Sequence, residues 1–141
     1  MNFVDSSVFV ALFDETDPAR KGRARAIVRS ALQESWTISH QVVEETLDIL
    51  TRKTTEPMTA EQARRFLDDV LLPLCSVAPS EDLYRRALGI QSRYRYGFHD
   101  ALNIAAALEA GCGGLLTERL SHGHTIEGLT IENPFPQPPE S

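Results

Sequence analysis

Three acidic residues that are far apart in the chain occupy similar places in its predicted elements. Asp5 directly follows a short apolar segment, Asp100 starts an alanine-rich helix, and Glu45 lies on the flank of an amphipathic helix. The ends of parallel strands in an α/β sheet converge on one crevice, so carboxylates at such junctions can meet in the fold. Carboxylates gathered in one crevice repel each other unless a proton or a cation intervenes. The pattern therefore predicts a site for a hard divalent metal ion and, with it, phosphate chemistry.

Each of these acids also has a purely structural interpretation. Asp5 could cap the helix that follows it, and Asp100 could cap its own helix, by accepting hydrogen bonds from free N–H groups in the first turn. Glu45 could pair with Arg52 or Lys53 on the same helix. The local sequence leaves both interpretations of Asp5 open and, for Glu45 taken alone, favours the ion pair.

The elements that must position these acids alternate between strand and helix. The apolar and capping patterns predict strands at residues 2–4, 36–39, 74–77, 115–117 and 129–132, and helices at residues 8–13, 19–34, 40–53, 59–72, 80–94 and 100–110. This alternation predicts a three-layer α/β/α sandwich with a central, mostly parallel sheet of four to five strands. A single domain is expected over residues 1–132. Residues 133–141 contain four prolines and are expected to be frayed or disordered.

Composition limits the classes of protein that the chain can belong to. Apolar residues make up 42% and charged residues 24% of the 141 residues, which is typical of a soluble globular protein. No apolar stretch approaches the roughly 20 residues that a membrane span needs, and no secretory signal is evident, so a cytoplasmic location is expected. The net charge of −6 argues against non-specific coating of nucleic acid. Because twelve of the fourteen basic residues are arginine, they could form either solvated helix faces or a phosphate-binding rim.

Four short segments occur in an order and spacing that is specific in combination. They are Val-Asp-Ser-Ser-Val at 4–8, Ile-Ser-His-Gln-Val-Val-Glu-Glu at 38–45, His-Asp-Ala-Leu at 99–102 and Leu-Thr-Glu-Arg-Leu-Ser-His-Gly at 116–123. Together they resemble the PIN domain, and most closely the VapC-type toxins of bacterial toxin–antitoxin pairs. The resemblance covers residues 1–132 and implies a metal-dependent ribonuclease with a parallel sheet between helices.

The resemblance assigns roles to individual residues. Asp5, Glu45 and Asp100 match three acids of the family, and the alignment selects Glu45 over Glu44. In the mechanism expected for such a ribonuclease, Asp5 and Asp100 hold a Mg²⁺ or Mn²⁺ ion and Glu45 completes the acidic cluster. Ser7 and Thr117 are further supporting candidates. The implied partners are an RNA substrate (tRNA, rRNA or mRNA), an antitoxin whose C-terminal segment lies over the crevice, and a second copy of the chain in a homodimer.

The fourth acidic position departs from the family pattern. PIN domains usually show Thr-x-Asp after the fourth strand, whereas this chain has Thr117-Glu118-Arg119. Glu118 is one place early, and neighbouring side chains diverge after an extended strand, so it is not expected to substitute cleanly. Arg119 changes the charge of the site by two units, which should weaken binding of a second metal ion. Arg119 could instead contact a substrate phosphate.

Two other functions remain open at this point. A PIN-like domain disabled by Arg119 could bind RNA or a protein without cutting. A phosphoryl-transfer domain of receiver type also gathers acids at strand ends, but it needs a lysine beyond a later strand. Both lysines of this chain, Lys21 and Lys53, fall on predicted helices, so the receiver interpretation is disfavoured.

Overall fold

A computed structural model describes residues 1–135 of the chain. The strands within that range are β1 (Asn2–Val4), β2 (Ile38–Ser39), β3 (Cys75–Val77), β4 (Gly114–Leu116), β5 (Thr125–Ile126) and β6 (Leu129–Glu132). Four of them form a sheet in the order β1-β4-β6-β5, in which β1, β4 and β6 are parallel and β5 is antiparallel to β6. The parallel pair β2-β3 adjoins β1 through a bridge between Phe3 and Thr37.

Helices flank this sheet and connect its parallel strands. They are α1 (Ser6–Ala11), α2 (Pro18–Glu34), α3 (His40–Arg52), α4 (Ala60–Phe66), a π-helical turn (Leu67–Leu71), α5 (Leu72–Leu74), α6 (Glu81–Tyr94) and α7 (Phe98–Glu109). Short polar side chains begin several of them, because these side chains can accept hydrogen bonds from free backbone N–H groups. Ser39 caps α3 in this way, Ser80 caps α6, and Thr59 forms a reciprocal capping box with Gln62.

The predicted α/β sandwich is confirmed, and the differences are local. The sequence did not predict the short β5-β6 hairpin. The helix predicted at residues 100–110 begins at Phe98, and the helix predicted at residues 59–72 is interrupted by the π-helical turn. Pro73 lies two residues after that turn, inside α5. Proline has no N–H to donate and its ring clashes with the carbonyl four residues earlier, so the regular α-helical hydrogen bond from position 73 to position 69, within the π-helical turn, cannot form.

Most of helix α7 is buried. Its residues Ala101, Ile104, Ala105, Ala106 and Ala107 are completely buried. The small side chains let the helix backbone lie close to its neighbours, which brings the first turn of α7 near the ends of the parallel strands. No helix within residues 1–135 is long and apolar enough to cross a membrane.

The start of the proline-rich tail contacts α2. Phe135 is only 7% exposed, the guanidinium of Arg20 lies 4.4 Å from the centre of its ring, and Arg23 donates a hydrogen bond of 3.1 Å to the carbonyl of Pro134. The aromatic ring at position 135 supplies the apolar contact that the prolines alone do not suggest. The rest of the predicted tail, residues 136–141, lies outside the described residues.

Candidate active site

Three carboxylates and one guanidinium meet at the edge of the sheet. The Nη2 atom of Arg119 lies 3.0 Å from Asp5 Oδ1, 3.6 Å from Glu45 Oε2 and 3.5 Å from Asp100 Oδ1. We call this group the crevice cluster; its members are Asp5, Glu45, Asp100 and Arg119. The three predicted acids are therefore brought together, although they are separated by up to 95 positions in the chain, and a cationic nitrogen lies among them.

Asp5 is the innermost member of the crevice cluster. It follows β1 directly, its backbone N–H donates to the carbonyl of Leu116 over 3.0 Å, and its side chain is completely buried. The carboxylate accepts hydrogen bonds from Thr117 Oγ1 (2.8 Å) and Asn103 Nδ2 (3.1 Å), and a weaker contact from the backbone N–H of Ser7 (3.4 Å). Asp5 thus caps α1 and faces the cluster at once, so the two interpretations left open by the sequence are compatible.

Glu45 reaches the crevice cluster from the flank of α3. Its carboxylate accepts hydrogen bonds from Gln41 Nε2 (2.7 Å) and Ser6 Oγ (3.1 Å). Arg52 and Lys53, the partners that the local sequence favoured, both pair with Asp48 instead. The orientation of Glu45 is therefore fixed by residues of α1 and α3 that face the crevice.

Asp100 lies in the first turn of α7 and does not cap it, since Gly97 occupies the capping position. Burial raises the pKa of the Asp100 carboxyl above its ordinary value; Arg119 opposes this shift, and the charges of Asp5 and Glu45 add to it. Burial lowers the pKa of the Arg119 guanidinium, but the three carboxylates raise it by more, so that the pKa lies above its ordinary value. Arg119 therefore remains cationic.

The loop after β4 sends two successive side chains in different directions. Thr117 is buried, donates to Asp5 and accepts a hydrogen bond of 3.1 Å from the backbone N–H of Arg119. Glu118 turns away from the crevice cluster and forms a two-pronged ion pair with Arg20, while its backbone N–H lies 3.5 Å from Ser7 Oγ. Glu118 thus does not take the place of the missing fourth acid.

Sequence reasoning missed part of the shell that supports the acids. Gln41 and Ser6 hold Glu45, and Arg20 holds Glu118, yet none of them was singled out. The spacing of Gln41 and Glu45, four residues apart on one helix, was the available signal. Asn103, three residues after Asp100 on α7, belongs to this shell as well, because its side-chain NH₂ group donates to Asp5.

The oxygens of the crevice cluster fit a hard divalent cation. Three carboxylates and one guanidinium leave it with excess negative charge. The side-chain oxygens of Asn103 and Gln41 are buried and have no hydrogen-bond partner within residues 1–135. Each amide must turn its NH₂ group toward a carboxylate, so its oxygen is left as one more acceptor. A hydrated Mg²⁺ or Mn²⁺ ion would supply the missing positive charge and donors.

The same site does not present a ready-made metal cage. Within residues 1–135, no three His, Cys, Asp or Glu side chains are spaced to hold a metal ion. The Nη2 atom of Arg119 lies between the three carboxylates and contacts an oxygen of each. A metal ion would therefore have to replace the guanidinium at these oxygens.

Comparison with known proteins identifies the family. A family model described as the PIN domain matches residues 3–118. The chain belongs to the PIN domain family. This confirms the resemblance seen in the four sequence segments. A search of curated proteins finds no match.

Several solved structures share this PIN fold. A toxin–antitoxin complex from Klebsiella pneumoniae is 18% identical, with 96% of this chain and 98% of that chain covered and a TM-score of 0.70. VapC20 of Mycobacterium tuberculosis, described as a sarcin–ricin loop cleaving toxin, is 26% identical over 82% of this chain and 87% of that chain, with a TM-score of 0.60. VapBC2 of Rickettsia felis, bound to a DNA fragment from its promoter, is 16% identical over 94% of this chain and 97% of that chain, with a TM-score of 0.66.

Proposed function

We propose that this PIN domain is a metal-dependent endoribonuclease and the toxin component of a toxin–antitoxin pair. The observation that carries the proposal is the convergence of Asp5, Glu45 and Asp100 on one point at the edge of the sheet. Carboxylates in such an arrangement suit the binding of Mg²⁺ or Mn²⁺, and these ions suit reactions at phosphate.

The side chains have distinct roles in this proposal. Asp5 and Asp100 would hold the Mg²⁺ or Mn²⁺ ion, which supplies an activated water and neutralises charge that develops on the phosphate. Thr117 and Asn103 keep the buried Asp5 carboxylate in one orientation. Glu45, itself held by Ser6 and Gln41, orients the attacking water. Arg119 is more than a third exposed and can contact a phosphate oxygen of the substrate.

RNA is the substrate class that we assign, and hydrolysis of its phosphodiester bonds is the reaction. The support is the family and the likeness to VapC20, which is described as a toxin that cleaves the sarcin–ricin loop. The structure favours no one of tRNA, rRNA and mRNA. A cognate antitoxin and a homodimer, both in the cytoplasm, complete the proposal, and similar folds occur in toxin–antitoxin complexes.

The test compares cleavage of total RNA by the wild type and Asp100→Asn with Mg²⁺ or Mn²⁺ present. Asparagine keeps the shape of the side chain but removes its charge, so we expect the rate to fall by about a hundredfold or more, the scale on which a charge-stabilising group acts. Asp48→Asn is the matched control, because Asp48 lies on the exposed side of α3 and pairs with Arg52 and Lys53. Equal rates for the wild type and Asp100→Asn would refute the nuclease assignment.

A second candidate is favoured by one specific observation. The guanidinium of Arg119 already lies among the three acids. If it stayed there permanently, the domain would bind RNA or a protein without cutting. Retention of RNA by the wild type, together with no cleavage in either metal and no effect of Asp100→Asn, would support this binding module over the nuclease.

A further inference from the structure

The side chain of Arg119 makes ionic contacts with every acid of the crevice cluster through a single nitrogen. The contacts run from 3.0 Å to 3.6 Å, and only the contact to Asp5 is also a hydrogen bond. The partners are 0%, 22% and 29% exposed, whereas Arg119 is 39% exposed. The Arg119 side chain therefore approaches the cluster from the solvent side, and the three acids lie deeper in the protein.

The backbone that carries Arg119 is anchored independently of its guanidinium. The backbone N–H of Arg119 bonds to Thr117, and the preceding residue is held by the ion pair of Glu118 with Arg20. Rotation about the side-chain bonds of Arg119 alone can therefore move the guanidinium out of the crevice. The loop, Thr117 and Asp5 do not have to move with it.

A divalent ion and this guanidinium cannot occupy the cluster together. An ion held by Asp5 and Asp100 would need carboxylate oxygens of these residues, and Nη2 now contacts an oxygen of each. The two cations would also repel each other at such close range. Without either cation, three carboxylates would face each other with no positive charge between them.

We propose that Arg119 is a tethered cation that keeps the crevice cluster assembled in the absence of metal and competes with the divalent ion for the same oxygens. The resting protein has its own cation in the site. Metal binding requires the guanidinium to leave, after which Arg119 is free to meet the substrate. This inference rests on the proposed metal site, but it does not depend on RNA cleavage.

The experiment measures Mn²⁺ binding to the RNA-free protein from the electron paramagnetic resonance signal of free Mn²⁺. We expect Arg119→Gln to bind Mn²⁺ at least about tenfold more tightly than the wild type, because the competing charge is gone. The control is Arg52→Gln, which changes the net charge equally but removes a surface pair with Asp48 on α3; its affinity should equal that of the wild type. Equal affinity in the wild type and Arg119→Gln would overturn the competition, as would no binding by either.

Melting temperatures provide a second measurement on the same proteins. In a chelator, Arg119→Gln should melt below the wild type, since the three acids lose their cation. Saturating Mn²⁺ should then raise the melting temperature of Arg119→Gln more than that of the wild type. An equal increase in both would overturn the inference. The outcome is separable from the nuclease assignment, because cleavage can fail while Mn²⁺ and Arg119 still compete, and cleavage can succeed when they do not.

Discussion

Glu118 and Arg119 are neighbours in one loop, yet they join two different groups of charges. Arg119 enters the crevice cluster, whereas Glu118 joins a group on the outside that we call the rim cluster; its members are Asp14, Arg20 and Glu118. In both groups a single arginine bridges more than one carboxylate. The difference is the number of carboxylates that share one arginine, three in the crevice cluster and two in the rim cluster.

Two aspartates show the consequence of that difference. Hydrogen bonds from the side chain and backbone N–H of Thr16 lower the pKa of the Asp14 carboxyl in the rim cluster. Burial raises the pKa of the Asp100 carboxyl in the crevice cluster, despite the nearby Arg119. In the rim cluster, hydrogen bonds and the charge of Arg20 stabilise the ionised form of Asp14, so this cluster needs no further cation. The crevice cluster leaves its acids short of positive charge, which is the condition under which a site takes up a cation.

The largest effect is expected from Asp5→Asn. Asp5 accepts hydrogen bonds from Thr117, Asn103 and Arg119, and asparagine would turn an NH₂ group toward one of these donors in a fully buried position. We expect RNA cleavage to fall by about a hundredfold or more and the free energy of unfolding to fall by about 1–3 kcal/mol. Cleavage assays and denaturant unfolding measure the two effects.

The control for Asp5→Asn is Asp17→Asn. Asp17 caps α2 beside the rim cluster by accepting a hydrogen bond from the backbone N–H of Arg20. Asparagine caps a helix about as well as aspartate. This variant should keep both its stability and its cleavage rate. An equally mild outcome for Asp5→Asn would show that Asp5 is only a cap.

Arg119→Asp should increase cleavage by about tenfold, since it removes a cation from the metal position and restores the acid that the family pattern has there. The measurement is the initial rate of RNA cleavage as a function of Mn²⁺ concentration. Arg52→Asp introduces the same charge change on an exposed face of α3 and should leave the rate unchanged. A rate below that of the wild type would contradict the prediction and would place the main role of Arg119 at the substrate.

The pH dependence of stability should separate the two clusters. Because the pKa of Asp100 is raised in the folded protein, ionisation of its carboxyl costs stability as the pH rises from the ordinary carboxyl range through the raised value. Asp100→Asn should therefore gain in melting temperature relative to the wild type over that interval. Because the pKa of Asp14 is lowered, its contribution is present above the ordinary value and is lost as the pH falls through the lowered one.

Asp14→Asn should accordingly melt below the wild type near neutral pH and approach it in acid. Thermal melts in a metal chelator, from about pH 3 to about pH 8, span both carboxyl ranges. The two variants should diverge from the wild type in opposite directions. Curves that run parallel for all three proteins would remove the electrostatic contrast between the clusters.

The smallest effect is expected from Arg20→Gln. Its ion pairs with Glu118 and Asp14 are partly solvated, and such pairs stabilise proteins by at most about 1 kcal/mol. Chemical denaturation should show a loss of that size, and cleavage should stay within about twofold of the wild type, comparable to the margin for a surface substitution. A large loss of cleavage with unchanged stability would mean that the rim cluster takes part in the reaction.

Much of the fold and the three acids could be predicted from the sequence. Strand-to-helix junctions are visible as apolar runs followed by capping residues, and the ends of parallel strands have a fixed relation to one another. Asp5, Glu45 and Asp100 were therefore predicted to meet, and they do. Their roles in binding a metal stay predictions, as does the assignment of residues 1–132 to one domain.

Side-chain direction after the last residue of a strand could not be predicted in the same way. Nothing in Thr117-Glu118-Arg119 shows that the glutamate would find Arg20, which is 98 positions away, or that the arginine would enter the crevice. The β5-β6 hairpin was missed because Thr125–Ile126 is too short to show a period. The early start of α7 at Phe98 was missed because the glycine before it has no side chain with which to signal a cap.

The alanines of α7 have a consequence that charges alone do not explain. Ala101 and Ala105 are completely buried one turn apart on the helix that carries Asp100 and Asn103. The side-chain volume at these two positions determines how closely α7 packs. An added methyl group would push the helix axis outward and increase the distance between Asp100 and Asp5. The small volume of these two side chains thus sets the separation between the carboxylates of Asp5 and Asp100, and with it the space available to a cation.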